Sequence, residues 1–151
     1  MAVLYVHLFG GLAVSWGETP LPPIASTAAR SLFAYLVTYR DRPHTRDLLA
    51  GIFWMDVPDA VARRRLSQSL WQIGKALRRH CVLLTEGDTV QLNPDLPLWV
   101  DVADFQQARA EAEAPLASGA IDSALGRLQK AASLYRGPFL SGYYDDWVLP
   151  E

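Results

Sequence analysis

Arg64, Gln68, Trp71, Lys75 and Arg79 recur at intervals of three and four residues. On a helix advancing 100° per residue they fall within about 40° of the side opposite Leu66. Ser67 and Gln72 lie on the shoulders of that side, and Arg63 opens the Arg63-Arg64-Arg65 run that leads into it. Arginine and lysine bind phosphate oxygens or donate to guanine O6 and N7, and a glutamine amide offers adenine one donor and one acceptor. The set Arg63, Arg64, Ser67, Gln68, Trp71, Gln72, Lys75 and Arg79 is therefore a candidate duplex-DNA face. Trp71 fits a sugar, a thymine methyl or a neighbouring protein loop equally well by type. The plain alternative is a basic helix face that simply stays solvated.

Those residues need a helix that buries its other side. Ala62, Leu66, Leu70, Ile73 and Leu77 make that stripe, and the spacing predicts a helix over 59–79, with Pro58 near its first turn and Arg78 and Arg79 at its dipole-favoured end. Before it, Ser26 or Thr27 caps a helix running to Arg40, with Ala28, Leu32, Tyr35, Leu36 and Tyr39 on one face. Thr45 caps a short helix over 46–54, with Leu48, Leu49, Ile52 and Phe53 as its apolar stripe. After it, residues 82–92 read as a β-hairpin turning at Glu86-Gly87-Asp88.

The flanks read differently. Residues 2–8 alternate as a strand, Leu12–Trp16 is a second strand, and proline-rich 19–23 allows only a short edge strand, so the chain opens on a small antiparallel sheet. Beyond Val100, Asp101 caps a helix with Asp104 at its third position, along which Phe105, Ala108, Ala112 and Leu116 lie. Gly119 separates it from a helix over 120–135 carrying Ile121, Ala124, Leu125, Leu128, Ala132 and Tyr135, which makes a helical hairpin.

The 151 residues, 50% hydrophobic and 20% charged, suit one full domain or two small ones. No apolar run approaches the roughly 20 residues that span a bilayer, and the N-terminus reads as a strand without a basic leader, so a cytoplasmic location with no membrane partner is expected. Cys81 is a lone cysteine, which excludes an internal disulfide and a multi-cysteine zinc site. The net charge of −2 hides a division: residues 30–80 carry +6 and residues 81–151 carry −7. A basic middle beside an acidic final third suggests a polyanion-facing element joined to one that faces something else.

Other chemistries find little. His7, His44 and His80 are scattered over a strand, a loop and a helix end, and read as surface or capping groups with no metal or catalytic role. Cys81 lacks an orienting acid, Gly10-Gly11 lacks dinucleotide spacing, no Gly-Lys-Ser or Gly-Lys-Thr occurs, and Asp145-Asp146 point apart as neighbours do. No catalytic residue, cofactor or metal is expected, and the chain does not read as an enzyme.

A helix pair followed by a hairpin, the second helix basic and amide-bearing, has the order and length of a winged helix-turn-helix. The leading sheet narrows the comparison. With Leu8-Phe9-Gly10-Gly11-Leu12, Arg46-Asp47-Leu48-Leu49-Ala50, Phe53-Trp54 and Ala62 through Leu70, the sequence resembles bacterial transcriptional activators of the antibiotic-regulatory (SARP-like) type. The resemblance continues through Glu86 to Pro94, Trp99-Val100-Asp101-Val102, Leu134 through Leu140 and Asp146 through Glu151. It implies an α+β fold: an OmpR-like winged helix over 1–97 with its leading antiparallel sheet, then over 98–151 a TPR-like bacterial transcriptional activator domain that stops early. It implies sequence-specific binding to promoter DNA, an activator domain that contacts RNA polymerase subunits or other partners, and a homodimer as one assembly.

Two features depart from the family pattern. The third helix carries Gln72-Ile73-Gly74-Lys75 where more arginine is usual, and the wing tip Glu86-Gly87-Asp88 is acidic where a minor groove favours arginine. Modest DNA affinity, or dependence on a dimer, is the expectation. The alternative from another class is a docking module of a larger signalling protein, in which a degenerate winged helix turns its basic face to an acidic protein surface. If the chain stops early, Phe139, Leu140, Tyr143, Tyr144 and Trp147 require cover.

Overall fold

The computed structural model describes residues 3–77, 82–117, 119–134 and 140. The elements in chain order are β1 (Leu4–His7), β2 (Ala13–Trp16), β3 (Thr19–Pro20), α1 (Thr27–Thr38), β4 (His44–Thr45), α2 (Arg46–Phe53) and α3 (Asp59–Leu77). They continue with β5 (Leu83–Glu86), β6 (Thr89–Leu92), β7 (Leu98–Val100), α4 (Asp101–Ala117) and α5 (Ile121–Leu134). The fold is α+β, and its described residues fall into two compact units: Pro20–Leu96, and the residues before Pro20 together with those from Pro97 onward.

In the second of these, a four-stranded sheet has the order β3-β2-β1-β7. Leu4, Val6 and Leu8 are buried while Tyr5 and His7 are half-buried, as alternation along a strand requires. β1 pairs antiparallel with β2 (Leu4 with Trp16) and parallel with β7 (Leu4 with Leu98). The leading sheet is thus mixed, not purely antiparallel as expected from the sequence, because Leu98–Val100 adds to it. β3, with Pro20, lies at the sheet's edge, where a missing N–H costs no ladder bond.

The start of α4 is pinned to the end of β1 by a fully buried carboxylate. Asp101 accepts hydrogen bonds from the backbone N–H of Leu8 at 2.9 Å, Phe9 at 3.1 Å and Val102 at 2.8 Å. Asp104 accepts from the Trp99 indole N–H at 2.6 Å, so its side chain holds the tryptophan instead of closing a capping box. Phe105 meets Phe9 edge to face at 5.2 Å, and buried Leu140 donates its backbone N–H to the Leu8 carbonyl at 2.7 Å.

α4 and α5 form the expected helical hairpin, but they meet along alanines. Ala108, Ala112, Ala124 and Ala131 are buried, whereas Ile121, Leu125 and Leu128 are 66%, 52% and 38% exposed and Ala132 is exposed. Of the residues placed at helical spacing along this helix, Ala124 is thus buried, while Ile121, Leu125, Leu128 and Ala132 point outward. Small side chains permit close helix approach, and the wider residues are left at the margin. Tyr135 lies outside the described residues, as do Phe139, Tyr143, Tyr144 and Trp147.

The other unit holds α1, α2 and α3 with a three-stranded antiparallel sheet of order β4-β6-β5. Ser26 caps α1, accepting from the Ala29 N–H at 3.1 Å, and Thr45 caps α2, accepting from the Leu48 N–H at 3.2 Å. α1 is buried on nearly every side from Ala29 to Val37, wider than the single stripe expected, and Ala28 is exposed. Leu48 is 50% exposed, leaving Leu49 and Ala50 to anchor α2. His44, expected on a surface loop, is buried in β4: its Nε2–H donates to the Tyr39 carbonyl at 2.9 Å, and its ring meets Tyr35 at 5.3 Å.

Candidate nucleic-acid interface

α3 is a 19-residue helix whose first intrahelical bond runs from the Ala62 N–H to the Pro58 carbonyl at 2.9 Å. Its buried residues are Ala62, Leu66, Ser69, Leu70, Ile73 and Leu77, the stripe expected from spacing plus one serine. Full burial of Leu66 and Ile73 contributes roughly 1.5–3 kcal/mol each and fixes which side of the helix is left outside.

That outer side carries Arg64, Arg65, Ser67, Gln68, Trp71 and Lys75, all exposed. Among the described residues, neither Arg64 nor Arg65 forms an ion pair, so their guanidinium groups remain available to an outside anion. From Arg64 to Lys75 the face extends about 16 Å along the axis at 1.5 Å per residue, three turns of helix. Lys75 lays its ammonium over the Trp71 ring at 5.1 Å, while Trp71 stays 63% exposed.

The remaining members of the expected set are engaged elsewhere or lie aside. Arg63 faces α2, where it pairs with Asp47 at 3.3 Å on the rim of a 370 Å³ cavity lined also by Ala50, Trp54, Val57 and Ala62. Gln72 is half-buried, and its Oε1 accepts from the Ser26 hydroxyl at 2.7 Å. Ser67 accepts from the Arg46 guanidinium at 2.6 Å. Arg79 lies outside the described residues, as do His80 and Cys81.

Sequence reasoning missed Arg46 and Arg65. Arg46 had a signal: it sits in the first turn of α2, where the helix dipole disfavours a cation, so its retention there points to a partner on another element. Arg65 falls beside the shoulder occupied by Gln72 and had no signal beyond membership of the arginine run.

Following α3 in the chain, the β5–β6 hairpin has Glu86 opposite Thr89, which leaves Gly87-Asp88 as a two-residue turn. Gly87 has φ +56°, a conformation L side chains rarely adopt, so glycine is required at this first turn position. Glu86 and Asp88 are exposed at the tip. The Asp88 carbonyl accepts from the Arg46 N–H at 2.8 Å, and β4 pairs with β6, so the hairpin is fastened to the start of α2. Among the described residues, no group of three or more His, Cys, Asp or Glu side chains is arranged to hold a metal, and no helix is long and apolar enough to cross a membrane.

Three helices, the third with a bare basic face, followed by a fastened hairpin, define a winged helix-turn-helix. Residues 100–151 match the bacterial transcriptional activator domain (BTAD) family. The fold is similar to that of Mycobacterium tuberculosis EmbR, solved in complex with a low-affinity phosphopeptide, with a TM-score of 0.80 and 26% identity over 99% of this chain. The chain spans 41% of that structure's length. No curated protein sequence matches the chain. The likeness to SARP-like, BTAD-containing bacterial transcriptional activators, read first from the sequence, is thereby upheld by a domain match and a fold match.

Proposed function

We propose that this chain is a sequence-specific, double-stranded DNA-binding transcription regulator of the cytoplasm and not an enzyme. Residues 1–97 carry the DNA-binding function, and residues 98–151 begin the activator domain. The observation that supports this reading is the exposed face of α3, where Arg64, Gln68, Trp71 and Lys75 stand over three turns with no acidic partner among the described residues. A helix of this kind enters the major groove, where Arg64 and Lys75 meet phosphates or guanine and Gln68 meets adenine. The β5–β6 wing lies beside the duplex, and Ser67 with Arg46, Gln72 and Arg79 support the reading residues. Contacts with RNA polymerase subunits and formation of a homodimer belong to the same proposal.

One observation favours a docking module instead: the exposed wing tip presents Glu86 and Asp88, which repel phosphate and attract a basic protein. The two readings separate in a selection from random duplex DNA at two salt concentrations. Enrichment of a short motif, with affinity falling as salt rises and lost in the Arg64→Ala, Gln68→Ala, Lys75→Ala triple variant, supports the regulator. No enrichment and no salt-sensitive retention supports the docking module.

A further inference from the structure

The core side of α3 is complete without Trp71, since Leu66, Leu70, Ile73 and Leu77 already fill it. The indole is left 63% exposed on a face otherwise made of arginine, lysine, glutamine and serine. It is nevertheless held: Lys75, one turn later, places its ammonium 5.1 Å from the ring centroid. The cation modestly favours this placement of the ring and carries a charge suited to phosphate beside it. On a helix that enters the major groove, a flat apolar surface positioned in this way can pack against an apolar group of the nucleic acid. In the major groove, the base edges offer only one methyl group, the C5-methyl of thymine.

We infer that the Lys75-braced indole of Trp71 reads thymine through its C5-methyl group, making Trp71 a specificity-determining residue of the α3 face. The inference rests on the DNA-binding reading above. Gln68 stands three residues before Trp71, so the same helical turn also offers an amide for adenine N6 and N7, and the site should contain A·T pairs.

The test uses the 151-residue chain and one random duplex library amplified in parallel with thymidine or with deoxyuridine triphosphate, which differ by that methyl alone. The thymidine pool should enrich a motif. In the enriched duplex, a single thymine-to-uracil change should weaken binding about fourfold at one or more positions, the equivalent of about 0.8 kcal/mol for one buried methyl. Trp71→Ala should bind the thymine and uracil duplexes equally while keeping its helical circular dichroism, and Trp71→Phe should retain part of the discrimination. Equal binding of both duplexes by the wild type, or discrimination surviving in Trp71→Ala, overturns the inference alone. Failure to bind any duplex overturns both the inference and the DNA-binding reading.

Discussion

The hydroxyl of Ser26 donates to Oε1 of Gln72 at 2.7 Å while accepting from the N–H of Ala29. One side chain therefore caps α1 and fastens the fourth turn of α3 to it. Gln72 was expected on the shoulder of the DNA face, yet its carbonyl is already taken, which gives it the work of setting the angle of α3. Ser26→Ala should lower stability by about 1 kcal/mol through loss of the cap. Gln72→Ala should cost less, and a double-mutant cycle read by urea unfolding should show a coupling of at least about 0.5 kcal/mol. Strict additivity would mean the bond contributes nothing.

Gly74 interrupts α3 without an evident packing reason, because a β-carbon there would meet no atom within 4 Å. Glycine costs about 1 kcal/mol against alanine in a helix interior. Gly74→Ala should raise the urea midpoint by that equivalent at unchanged slope, and DNA affinity should not fall. A destabilised variant would show that α3 bends at this residue.

The parts legible in the sequence were those set by local chemistry. The caps Ser26 and Thr45, the stripe from Ala62 to Leu77 and the turn at Gly87 each follow from neighbours within one or two helical turns or one hairpin. The pairing of β7 with β1 was not legible, since three residues that follow a proline find their partner more than 90 positions earlier. Nor was the burial of His44, which depends on the Tyr39 carbonyl and the Tyr35 ring closing around it. On the candidate face, exposure was read correctly from periodicity, whereas the engagement of Arg63 with Asp47 and of Gln72 with Ser26 depends on how α1 and α2 cross α3.

In α5 the helical spacing did not show which residues form the seam: the structure buries Ala124 and Ala131 and leaves Ile121, Leu125 and Leu128 outside. This yields an opposed pair of expectations. Ala124→Leu should destabilise by about 1–3 kcal/mol, because an overpacked seam forces the helices apart. Leu125→Ala, at a position 52% exposed, should stay within about 0.5 kcal/mol of the parent. Thermal unfolding of the two variants side by side checks the seam, and the reverse order would place Leu125 in it.

Asp101 satisfies three backbone donors from a site with no solvent exposure. Asp101→Ala leaves the Leu8, Phe9 and Val102 N–H groups short of acceptors, at a cost of about 3 kcal/mol. Asp101→Asn keeps one acceptor oxygen and should fall between. The measurement is urea unfolding of both variants, and a loss below about 1 kcal/mol for alanine would mean that water reaches these donors.

The wing tip offers the sharpest electrostatic test of the proposed DNA contact. Glu86 and Asp88 flank Gly87 and are exposed, and replacing their side chains leaves the Asp88 carbonyl free to keep its bond with the Arg46 N–H. If the wing lies beside a duplex, the Glu86→Lys, Asp88→Lys double variant replaces repulsion with attraction. Each new phosphate contact steepens the dependence of log affinity on log salt by about 0.9. The double variant should therefore bind an enriched duplex more tightly at low salt, with a slope steeper by about 1–2, and converge on the parent as salt rises. A slope equal to that of the parent would place the tip away from the DNA and remove the wing from the reading face.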